Sequence, residues 1–209
     1  MIKLIMFDLD NTLYKEREYV LSGFREVAKY LENKHEINFF ETYSILTESL
    51  IANGRGNNFD AIIKKKDLSL SLIPILVKVY REHIPNISLR DDTDYFLKEL
   101  SKKYKLCLIT DGWEEVQKKK VEALGIKDYF DLILYSQSDG IEHAKPHKKF
   151  FLKALKSFDV FEKEVLMIGD DNEKDFVGAQ NLGIKAFLIN DLLNKKEQLK
   201  IKKIIKEND

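Results

Sequence analysis

Short apolar runs, separated by stretches of helical spacing, constrain what this chain can fold into more than any other feature. Residues 3–7 (KLIMF), 105–109 (KLCLI), 132–134 (LIL), 165–168 (VLMI) and 185–189 (KAFLI) are apolar nearly throughout. Unbroken apolar runs of that length read as strands buried on both faces, whereas half-solvated strands alternate. Helices fit between them. Asp91 and Asp92 can cap a helix running to about residue 104, and a second covers 113–124 and stops at Gly125. Pro146 suits the first turn of a helix to about 158, and a fourth helix ends near Leu182, before Gly183. The alternation predicts an α/β fold with a parallel sheet covered on both faces. Ligands of such sheets bind at the carboxyl ends of the strands.

The rhythm breaks after the first strand. Tyr19, Val20, Phe24, Val27, Ala28 and Leu31 recur at helical spacing, and Ile73, Leu76, Val77 and Tyr80 repeat the pattern. Residues 15–88 are therefore expected to form an all-helical insert, interrupted by the turn-rich NGRGNN at 53–58, with residues 1–14 and 89–209 forming the core. A chain that is 44% hydrophobic and 33% charged can fill and cover such a core. Lys+Arg and Asp+Glu both total 35, so net charge gives no reason to expect a nucleic acid partner. The single Cys107 excludes an intrachain disulfide and reads as a buried, inert thiol. No run approaches the ~18 apolar residues of a membrane helix, and residues 4–7 are too short for the apolar part of a signal peptide. A cytoplasmic protein with no membrane partner is expected. The basic stretch 195–206 reads as a solvated helix with a short apolar stripe. Oligomeric state is not legible.

Chemistry gathers after four of the apolar runs. The first leads into FDLDNT, residues 7–12, where Asp8 and Asp10 stand one residue apart with no Lys or Arg between them. Like charges at that spacing repel unless a cation sits between them or one turns away. The second ends in Thr110-Asp111-Gly112, and a hydroxyl beside free amides at a helix start suits an anion. In the loop after the third lies Lys145, within EHAKP. His143 and His147 flank it, but no Cys accompanies them and Pro146 disturbs their spacing, so zinc is not expected. The fourth enters Gly169-Asp170-Asp171, with Asp175 beyond. Helix capping explains one of these acids, and the group suggests a hard cation held by oxygen.

Taken in this order, the four segments resemble the haloacid dehalogenase-like hydrolases, in the branch with a helical cap inserted after the first strand. A hydrophobic strand followed by DxDxT matches Asp8, Asp10 and Thr12. A strand ending in a hydroxyl matches Thr110, a Lys before Pro matches Lys145, and GDxxxxD matches Gly169, Asp170 and Asp175. Gln117, Lys120, Leu124, Gly125, Gly178, Ala179 and Gly183 also fit the surrounding pattern. The likeness covers 1–14 and about 89–190 well, and the cap in position and helical character only. It implies a Rossmann-like core and a Mg²⁺-dependent phosphatase acting on a small phosphorylated metabolite: a sugar phosphate, a nucleotide or a triose phosphate.

By the same resemblance Asp8 is the nucleophile that forms an aspartyl-phosphate, and Asp10 is the general acid and base. Thr110 and Lys145 hold the phosphoryl oxygens, together with Asp111 and Gly112. The Asp8 carboxylate, the Asp10 backbone carbonyl and Asp170 bind magnesium. Asp175 is expected behind these groups, orienting Lys145 or a metal-bound water, and Asp171 is expected to cap the next helix rather than bind metal. Arg55 could reach a second anionic group of the substrate, and Tyr14 and Trp113 either line the pocket mouth or pack. The cap is expected to close before chemistry. Retention of Asp10 disfavours a haloacid dehalogenase, which lacks it. A phosphomutase of the same family is the main alternative, and a non-catalytic binding protein is a further one.

Overall fold

Five parallel strands form one sheet: β1 (Leu4–Phe7), β2 (Lys105–Thr110), β3 (Leu132–Tyr135), β4 (Val165–Gly169) and β5 (Lys185–Leu188), in the order β3-β2-β1-β4-β5. The computed structural model describes residues 1–190 and 193–208. Met6 lies opposite Cys107 on one side of β1 and Met167 on the other. Every residue of β1 and β4 is buried, which is why these runs are apolar without alternation. The chain leaves β1 toward β2 and β3, then returns to build β4 and β5 on the opposite side. The strand order therefore reverses between β1 and β4, which is where a parallel sheet opens a crevice at its carboxyl edge.

Two compact units divide the chain, Met1–Glu16 with Ser88–Asp209 and Arg17–Ile87. The second unit is helical. It contains α1 (Glu16–His35, whose first residue belongs to the sheet unit), α2 (Phe39–Asn53), α3 (Asn58–Lys65) and α4 (Ile73–Glu82). The periodic face of α1, carrying Val20, Phe24, Val27 and Leu31, packs with Ile45 and Leu46 of α2, Ile62 and Ile63 of α3, and Leu76 of α4. A Cβ on Gly23 would overlap the Tyr80 ring, so glycine is what allows α1 and α4 to approach there. Asn38 caps α2 by accepting from the Glu41 amide at 3.0 Å. The NGRGNN segment links α2 to α3, with Gly54 and Asn57 both in the left-handed region.

In the sheet unit α5 (Asp91–Ser101), α6 (Glu114–Ala123), α7 (Lys149–Phe158), α8 (Gly178–Gln180) and α9 (Lys195–Lys206) surround the strands. Three differ from expectation. α5 stops at Ser101, and its cap position is Arg90, leaving Asp91 and Asp92 inside the first turn, where acids offset the helix dipole. α7 begins at Lys149, so Pro146 precedes it, across a cis Lys145–Pro146 peptide, instead of opening it. The helix expected before Gly183 is a π turn, Asn172–Val177, running into the short α8.

Phe150, Phe151 and Ala154 of α7 pack on Met6, Cys107, Ile109 and Met167. Burial pushes the Cys107 thiol far above its ordinary value, so it stays protonated. The stripe of α9 is not solvated: Ile201 and Ile205 are buried, and Gln198 donates to the carbonyls of Asp92 and Leu193, both at 3.0 Å. Among the described residues no helix is long and apolar enough to cross a membrane.

Candidate active site

Asp8 is the first residue past β1, and its amide still donates to the Ile168 carbonyl at 3.0 Å. That bond carries the ladder one step beyond the strand and fixes the buried side chain at the edge of the crevice. Lys145 reaches it from the loop after β3, with Nζ 2.5 Å from Asp8 Oδ1 and 2.6 Å from Asp175 Oδ1. Asp175 is directed back by the π turn, and its other oxygen accepts from the Asp171 amide at 3.2 Å. A Cβ on Gly169 would occupy the space of the Asp175 carboxylate, so the glycine ending β4 makes room for an acid. The Thr12 hydroxyl lies 3.3 Å from Asp8 Oδ2 and 3.4 Å from Asp170 Oδ1. Asp8, Asp170 and Asp175 each offer an oxygen within 4.8 Å of the others.

These acids share too little positive charge. Burial pushes Asp8 well above the usual carboxylate range; Lys145 opposes the rise, while Asp175 and Asp10 add to it. Burial, then the charge of Asp175, raises Asp170 to about 6. For Lys145 burial favours the neutral amine, but Asp8, Asp175 and Asp111 outweigh it and hold the side chain as a cation. Three clustered carboxylates, only two of them paired with the Lys145 ammonium, and oxygen as the whole donor set fit a hard divalent cation such as Mg²⁺.

Asp10 sits in a second cluster. Its carboxylate accepts from Tyr14 Oη at 2.5 Å, from Lys120 Nζ at 2.7 and 2.8 Å, and from Gln117 Nε2 at 2.9 Å. Burial alone would raise Asp10, but the charge of Lys120 and the hydrogen bonds from Lys120, Tyr14 and Gln117 overcome it and lower the group. Gln117 Nε2 is also 2.5 Å from the hydroxyl oxygen of buried Thr110, and so links the end of β2 to the loop after β1. Gly112, at φ +121°, lies against the Gln117 side chain, and a Cβ there would approach it to 3.3 Å.

The remaining expected residues take other places. Asp111 accepts from the Ser136 hydroxyl and, at 3.1 Å, from the Lys145 amide, so its side chain ties the end of β2 to the Lys145 loop. Asp171 caps the π turn through the amides of Glu173 and Lys174, both at 2.9 Å. Arg55 belongs to the helical unit, where it lines a cavity of about 320 Å³ with Phe24, Phe59, Tyr80 and Arg81. Trp113 is largely exposed at the start of α6, whereas Tyr14 is buried. The His143 and His147 rings stand 5.0 Å apart and join no metal-ligating group among the described residues.

Sequence reasoning gave no role to Lys120, Gln117 or Ser136. A signal existed for the first two. Gln117, Lys120, Val121 and Leu124 follow the i, i+3, i+4, i+7 spacing of a buried helix face, which places two polar side chains inside.

The model of the haloacid dehalogenase-like hydrolase family matches residues 5–189. The chain is 32% identical over 195 residues to the glyceraldehyde 3-phosphate phosphatase of Pyrococcus abyssi, covering 89% of this chain and 80% of that protein. It is 27% identical over 194 residues to the pyrophosphatase PpaX of Bacillus mycoides, covering 90% of this chain and 83% of that one. The solved structure of a HAD phosphatase from Thermococcus onnurineus aligns over 98% of each chain with a TM-score of 0.63 at 24% identity, a likeness of fold.

Proposed function

The chain belongs to the haloacid dehalogenase-like hydrolase family, and from this we propose that it is a Mg²⁺-dependent phosphatase of small phosphorylated metabolites, with a triose phosphate as the first candidate substrate. One observation carries the reading: a buried carboxylate, Asp8, ends the central strand in contact with a buried ammonium and beside two further acids. The name of the P. abyssi relative favours the triose phosphate.

The Asp8 and Asp170 carboxylates and the Asp10 carbonyl would hold Mg²⁺, which supplies positive charge to a substrate phosphoryl oxygen. An Asp8 oxygen attacks phosphorus, and the acyl phosphate so formed splits one difficult displacement into two. Lys145, anchored by Asp175, stays charged throughout and offsets charge on the phosphoryl oxygens. Gln117 donates to Thr110, which leaves the Thr110 proton for a phosphoryl oxygen, and the amides of Asp111 and Gly112 add donors at the start of α6. Asp10 gives a proton to the leaving oxygen and recovers one from the water that cleaves the intermediate.

The test is phosphate release from glyceraldehyde 3-phosphate, sugar phosphates, nucleoside monophosphates and pyrophosphate, with Mg²⁺ and with a chelator, for the wild type and Asp8→Asn. Release that needs Mg²⁺ and disappears in the variant supports the reading. Equal release by both proteins sinks the nucleophile, and transfer to a sugar hydroxyl without phosphate release makes the enzyme a mutase.

A further inference from the structure

Asp10 has the most crowded polar environment of the site, and most of it comes from one face of one helix. Lys120 is buried on α6, with Nζ on both carboxylate oxygens at 2.7 and 2.8 Å. Contact with both oxygens fixes the plane of the carboxylate, which a single contact would leave to rotate. One turn earlier, Gln117 touches Asp10 Oδ2 at 2.9 Å and Thr110 Oγ1 at 2.5 Å through the same nitrogen. Glu16 stands 3.9 Å from the same ammonium. A buried Lys and Gln on a helix face are costly unless paired, and these two converge on one carboxylate.

We propose that Lys120 and Gln117 are positioning residues that hold Asp10 in register with the phosphoryl site at Thr110. The inference rests on the phosphatase reading above for the role of Asp10. In the first chemical step the Asp8 oxygen–phosphorus bond forms and the ester oxygen–phosphorus bond breaks. Asp10 enters this step protonated, and that proton passes to the departing ester oxygen, leaving the carboxylate that Lys120 holds. In the second step water gives that proton back as its oxygen bonds to phosphorus and the Asp8 oxygen departs. Neither Lys120 nor Gln117 gains or loses a proton in either step; their task is the placement of the Asp10 oxygens.

The leaving group separates this role from general structural support. A p-nitrophenolate departs without a proton, whereas the alkoxide of an alkyl phosphate needs one, and kcat/KM reports only steps through the first departure. In Lys120→Met, kcat/KM for the best alkyl phosphate should fall ~100-fold, within the range for general acid catalysis. For p-nitrophenyl phosphate it should fall less than about 5-fold. Asp10→Asn should show the same asymmetry, and Lys120→Arg should recover most of the alkyl activity. Equal losses on both substrates, or no loss on either, overturn the proposal. Should Lys120→Met not yield folded protein, Lys120→Gln, which keeps a donor without the charge, carries the same comparison. Failure of the wild type on every phosphate ester would remove the phosphatase reading. The crystal structure of Lys120→Met then decides the positioning role: an Asp10 side chain moved off Tyr14 supports it, and an unmoved one overturns it.

Discussion

Only Leu9 separates Asp8 from Asp10, yet each finds its own lysine, Lys145 from the loop after β3 and Lys120 from α6. Burial pushes Asp8 upward, whereas at Asp10 burial is outweighed by Lys120 and the group is lowered. Asp170 has no lysine within ion-pair reach among the described residues, and burial raises it to about 6 against an ordinary 3.8. Protons should therefore compete with metal there. Below pH ~6 the Mg²⁺ dissociation constant should rise up to about tenfold per pH unit, which calorimetric titration will measure. The sign for folding follows the same group. With its pKa raised in the folded state, its contribution to stability is present below pH ~4 and lost as pH rises through ~6. Asp170→Asn should thus stabilise the metal-free protein at pH 8, by ~1 kcal/mol after allowance for its partial exposure, and leave it unchanged at pH 4. Denaturant titration at the two pH values checks this. Gly169→Ala should cost ~1–3 kcal/mol in the same assay, because the methyl displaces Asp175 from Lys145. The acids of the site were legible because several of them follow apolar runs. Lys120 was hidden in the run Lys118-Lys119-Lys120, where three identical side chains look solvated and only helical phase tells the inward one from its neighbours.

Among the elements, the strands were the most legible, since a continuous apolar run with no room for a helix has few alternatives. The π turn was not. The Phe176 amide bonds the Asp171 carbonyl at 3.3 Å, one residue wider than an α-helix allows. That extra residue brings Asp175 back toward Gly169, and nothing in the composition of NEKDFV announces it. The limits of α5 and α7 were missed for smaller reasons: a first turn tolerates acids as readily as a cap does, and a proline just ahead of a helix resembles one inside it. The helical unit was legible as an amphipathic pattern whose faces had to meet. Leu76 is the fully buried side chain through which α4 joins the other helices. Leu76→Ala should cost ~2–5 kcal/mol, read from the urea midpoint.

At the scale of the whole molecule the sheet is built outward from β1, with β3 and β5 at its edges. Amides of β1 and β4 should exchange with deuterium last, and those of β3 and β5 earlier, because edge strands open without disrupting the centre. Exchange followed by mass spectrometry checks the order, and faster exchange in β1 than in β3 would contradict it. The same arrangement has a consequence for synthesis. The central strand leaves the ribosome before its neighbours β2 and β4, which begin only at Lys105 and Val165. Until then β1 is an apolar segment with both hydrogen-bonding edges vacant, while Arg17–Ile87 emerges behind it with the partners of its own core. The nascent chain thus has its helical part able to fold while the strand that leads to Asp8 still awaits a sheet. In that interval the β1 segment is open to chaperone capture or to pairing with another chain.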